Sequence, residues 1–150
     1  MKGIQLNLLF AWLWIFLGFV SGTVLGLFFH REHWLGGYAS FKRRMYRLAH
    51  ISFFGLGVVN YLFASTAKSF PTGSLATAAS WALIAGGITM PLCCVLMAQA
   101  PKVRMIFAVP VVSLLLGGAL TLALLQQSSN AAGAANTTAE ASQSSTQYVP

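Results

Sequence analysis

The sequence predicts an all-α integral membrane bundle of four transmembrane helices, with an interfacial amphipathic connector and a disordered C-terminal tail. Three observations carry this prediction. Of the 150 residues, 57% are hydrophobic and only 7% charged, with a mean hydropathy of +0.71, values outside the range of soluble domains. Four apolar runs are long enough to cross a hydrocarbon core of about 30 Å and are separated by polar or Pro-containing breaks. After residue 125 the composition turns abruptly to Ser, Thr, Asn, Gln, Ala and Gly.

The runs place spans at residues 6–29, 48–67, 76–99 and 105–125, so that residues 1–125 form one transmembrane domain. The first carries no charge over about 24 residues, or about 36 Å at ~1.5 Å per residue. Its length exceeds the roughly 7–15 apolar residues of a signal peptide, so it reads as an anchor. Lys68, Pro71 and Gly73 close the second run, and residues 100–104 join the third to the fourth. Pro91 and Pro110 each remove a backbone donor, which predicts a kink or a close contact. Residues 126–150 cannot bury enough apolar surface to offset ordering and are expected to be disordered.

Charge bounds both topology and chemistry. Nine Lys and Arg against two acids give a net charge of +7. Arg31, Lys42, Arg43, Arg44 and Arg47 fall in the first loop and Lys102 and Arg104 in the third, against Lys2 and Lys68 on the other side. That bias predicts loops one and three in the cytoplasm of a bacterial-type inner membrane, with both termini facing outward. No separate basic arm suggests a nucleic acid partner. The sequence has no Asp, and its only carboxylate side chains are Glu32 and Glu140. Paired-carboxylate acid/base chemistry, aspartyl intramembrane proteolysis and proton carriage on an intramembrane acid all lack their groups, so the balance leans away from an enzyme. Cys93 and Cys94 are adjacent inside an apolar run, which fits neither a spaced zinc motif nor a disulfide framework.

Small residues mark helix faces. Gly18, Gly22 and Gly26 recur every fourth residue, Ala78, Ala82 and Gly86 repeat the pattern in the third span, and Ser113, Gly117 and Thr121 do so in the fourth. Such faces admit close backbone approach, within one bundle or toward a second copy or another membrane subunit. In the connector, Tyr38, Phe41, Met45 and Leu48 form an apolar stripe among Lys42, Arg43, Arg44 and Arg47. This segment is expected to lie at the interface, its basic side chains on lipid headgroups and Trp34 and Tyr38 at the headgroup level. Asn60 lies near the middle of the second span and should face another helix or a polar cavity.

All three histidines, His30, His33 and His50, sit near the connector. Antiparallel packing of the first two helices would bring them to one depth, where neutral imidazoles could ligate heme iron or a metal ion, with Glu32 beside them. Their other reading is structural, as interfacial polar groups and a hydrogen-bonding partner. Residues 21–57, reading S-G-T-V-L-G-L-F-F-H-R-E and then A-H-I-S-F-F-G-L-G, resemble the opening helices of small bacterial membrane proteins related to heme-copper oxidase subunit I. The resemblance implies an axial heme ligand at His50, five residues before Gly55; the residues themselves leave the cofactor open, with heme b the candidate. A second ligand would then come from His30, His33 or another subunit. Two functions follow as expectations: a non-catalytic packing or accessory subunit of a membrane complex, or a heme- or metal-binding electron-transfer protein.

Overall fold

The computed structural model describes residues 2–71, 73–100 and 105–146. They form four helices, α1 (Lys2–Leu27), α2 (Phe41–Thr66), α3 (Ser74–Gln99) and α4 (Ala108–Thr146), with short 3-10 turns at Trp34–Gly36 and Ala67–Ser69. Each of the four is long and apolar enough to cross a bilayer. The chain is a multi-pass membrane protein built as an all-α bundle.

The helices pack in chain order, α1 on α2, α2 on α3 and α3 on α4, and α1 also touches α3. Glycines set the spacing. Gly18 lies beneath the ring of Phe54 and Gly22 beneath that of His50, while a Cβ on Gly57 would stand 3.1 Å from the carbonyl oxygen of Ala11. Gly86 receives Leu114 and Gly117 receives Leu83, which fixes an antiparallel register between α3 and α4. On α4, Pro110, Gly117 and Leu124 are buried, with Leu114 and Thr121 part-buried between them. This is the narrow seam of a helix that packs along one edge only. The outward faces carry large apolar groups such as Trp12, Phe16, Phe19, Leu115 and Leu122, which lipid solvates without cost.

Two expectations are corrected. The basic connector does not form a separate interfacial helix, because residues from Phe41 onward are the first turns of α2. Ser40 caps that helix, its Oγ accepting from the backbone N–H of Arg43 at 3.1 Å and donating to the Leu35 carbonyl at 2.7 Å. No Pro interrupts the chain from there to Thr66, so one helix spans both segments. The tail is likewise helical through Thr146. It gains no burial where its side chains are described, since residues 129–138 are all exposed.

Proline acts differently in the two helices that contain it. Pro91 sits inside α3 and is buried, whereas Pro110 occupies the first turn of α4, where its missing N–H has no intrahelical acceptor to lose. Lys102 and Arg104 lie outside the described residues.

Candidate functional site

Polar side chains gather at two places, one inside the bundle and one at its rim. Inside, Asn7 of α1, Asn60 of α2 and Ser80 of α3 meet with 0%, 0% and 4% exposure. Asn7 Nδ2 donates to Asn60 Oδ1 at 2.8 Å and to the Ser80 carbonyl at 3.5 Å, the Ser80 hydroxyl donates to Asn7 Oδ1, and Asn60 Nδ2 donates to the Leu56 carbonyl at 2.9 Å. Two turns along α1, Trp14 Nε1 donates to the Gly87 carbonyl at 3.0 Å. Phe10 stacks on Trp14 and covers Gly87. Asn60 therefore faces other helices, although it lies in the last third of α2, about 9 Å from its end at ~1.5 Å per residue. The earlier start of α2 accounts for the shift from the middle.

At the rim, the chain turns sharply through Leu35, Gly36 and Gly37, whose φ values are 57°, 85° and 93°. The two glycines adopt this conformation freely, and the reversal lets Trp34 stack on Phe28 with ring centroids 5.3 Å apart. Arg43 enters the space so formed and is 2% exposed. Its guanidinium donates from Nη2 to the Phe29 carbonyl at 3.0 Å and lies over the rings of Phe29, Trp34 and Tyr38 at 5.3, 5.9 and 4.8 Å. Beside it a pocket of about 590 Å³ is lined by Phe29, His30, Glu32, His33, Tyr38 and Arg43.

The basic residues of the connector thus separate. Lys42 and Arg44 are exposed, free to meet headgroups; Arg47 is half-buried and lies 5.0 Å from the Tyr38 ring; Arg43 is enclosed. Among the small residues, Gly18, Gly22 and Gly86 receive side chains from a neighbouring helix and Gly26 faces open space. Ala82 is part-buried, whereas Ala78 is exposed and Ala79, next to it, is fully buried.

The histidines also divide. His30 and His33 are exposed at the rim, while His50 packs between α1 and α2, its Nδ1 2.9 Å from Ser21 Oγ. The Ser21 hydroxyl is also within hydrogen-bond reach of the Gly18 carbonyl, at 3.0 Å. His50 is two turns along α2 from Arg43, about 10 Å at ~1.5 Å per residue. Among the described residues, no group of three His, Cys, Asp or Glu is placed to hold a metal ion. Cys93 and Cys94 are free and buried, and the Cys93 thiol points at the Ile106 carbonyl at 3.6 Å.

Sequence reading missed Asn7 and Ser80, each a lone small polar group at the end of an apolar run. The available signal is that Asn7 shares a helical face with Ala11, Gly18 and Gly22. No family model, curated protein or solved structure matches the chain.

Proposed function

We propose that this chain works by assembly, as a non-catalytic packing or accessory subunit of a membrane complex. One observation supports this reading most. Among the described residues, every buried side-chain nitrogen or oxygen has a hydrogen-bond partner within the chain. Asn7, Asn60 and Ser80 bond to one another across three helices, and Ser52 bonds within its own helix, so the buried polar groups of the bundle are engaged in structure. The test is the mass and composition of the complex extracted gently from its membrane.

The proposed orientation places the α1–α2 connection in the cytoplasm of a bacterial-type inner membrane, with both chain ends outside. The exposed Arg31, Lys42 and Arg44 at that connection support it, against Lys68 at the opposite end. A reporter fused after Pro150 should be active only outside the cytoplasm; cytoplasmic activity would reverse the assignment.

A second reading, heme or metal binding at His50, draws support from the Ser21 contact at Nδ1, the kind of partner that orients a ligating imidazole. His30 and His33 line the rim pocket instead, so in this reading the second ligand comes from another subunit.

A further inference from the structure

Among the described residues, no carboxylate forms an ion pair with Arg43. A guanidinium offers five N–H donors, and this one spends a single hydrogen bond on the neutral Phe29 carbonyl rather than on Glu32. The surrounding aromatic faces attract the cation without neutralising it. Burial of an unpaired charge is costly. Arg43 is one of the residues that line the rim pocket, so a ligand seated there can reach the side chain without entering the bundle.

The location and chemistry of the pocket define what would fill it. The apolar span of α1 ends at Leu27 and that of α2 begins at Phe41, which puts the pocket at the boundary between hydrocarbon and water, where lipid phosphates lie. Arg43 is in the first turn of α2, so the helix dipole adds to its positive potential. Glu32 lines the same pocket. An acidic headgroup without a cation would meet this carboxylate unfavourably, whereas a zwitterionic headgroup satisfies both residues.

We propose that the pocket binds one phospholipid by its phosphoethanolamine headgroup, the phosphate on Arg43 and the ammonium on Glu32. Phosphate is held by the planar guanidinium fork, His30 and His33 supply ring nitrogens at the rim, and Tyr38 walls the site. This assignment is independent of whether the protein belongs to a larger complex.

The test is native mass spectrometry of the full chain, delipidated in detergent and titrated with dioleoylphosphatidylethanolamine, dioleoylphosphatidylglycerol or inorganic phosphate. The expected result is retention of one phosphatidylethanolamine in preference to phosphatidylglycerol, weakened about tenfold in R43Q by loss of the charged hydrogen bonds. In E32Q the preference between the two lipids should fall to about unity, since the ammonium loses its partner. No retained lipid, equal retention by R43Q, or an unchanged preference in E32Q would overturn the proposal. Displacement of the lipid by inorganic phosphate would assign the pocket to a free anion and overturn it as well. Should R43Q fail to fold, E32Q, whose side chain is exposed, and competition by soluble phosphoethanolamine decide the question: release of the lipid is expected, and its retention would overturn the assignment.

Discussion

Replacing Asn7 with Leu is expected to destabilise the bundle by about 2 kcal/mol, since it strands two partners at once. Asn7 donates to Asn60 Oδ1 and accepts from the Ser80 hydroxyl, and all three side chains are buried. Hydrogen bonds between helices in lipid average about 0.6 kcal/mol and reach about 1.7 kcal/mol. The larger figure here arises because Leu leaves one acceptor and one donor unsatisfied in an apolar interior. Reversible unfolding in mixed micelles measures the loss. The triple variant N7L/N60L/S80A should recover part of it, because removal of all the partners leaves nothing orphaned. An Asn7→Leu protein as stable as the parent would mean that the network is a passive neighbour of the packing.

Gly57→Ala should cost about 2 kcal/mol, within the usual range for overpacking. The added methyl would stand 2.9 Å from Ile15 Cγ1, 3.1 Å from the Ala11 carbonyl oxygen and 3.3 Å from the Ile15 backbone nitrogen. The side-chain carbon can rotate away, but the backbone atoms can yield only if α1 and α2 move apart. Gly55→Ala, on the opposite face of the same helix, meets nothing within 4 Å. It should be neutral or slightly stabilising, by helix propensity. Unfolding of the two variants under one set of conditions checks the pair, and equal losses would contradict the α1–α2 register.

The four spans were legible because lipid imposes a simple rule, a continuous apolar run of sufficient length with its backbone satisfied internally. The small-residue repeat at Gly18 and Gly22 was legible as a close-packing face for the same reason. Which residues they receive, Phe54 and His50, depends on the rotation of α2, and the repeat itself is silent on that. Arg43 shows the limit clearly. In sequence it is one of four basic residues around an apolar stripe, indistinguishable from Lys42 and Arg44. Only the reversal through Gly36 and Gly37 brings Phe29, Trp34 and Tyr38 around it. The helical continuation of α4 was not legible because poor helix formers, Ser, Thr, Asn and Gly, outnumber Ala there, whereas a segment that extends an existing helix is spared the cost of nucleation.

The proposed function rests on polar groups that serve packing and on action through assembly. Native mass spectrometry of the chain, extracted gently from membranes of cells supplied with heme, tests this most directly. The expected result is an assembly heavier than the lone 16.1 kDa chain, in which this subunit carries neither heme nor metal. A lone chain with no partner subunit, or a heme or metal mass that disappears in His50→Ala, would contradict it.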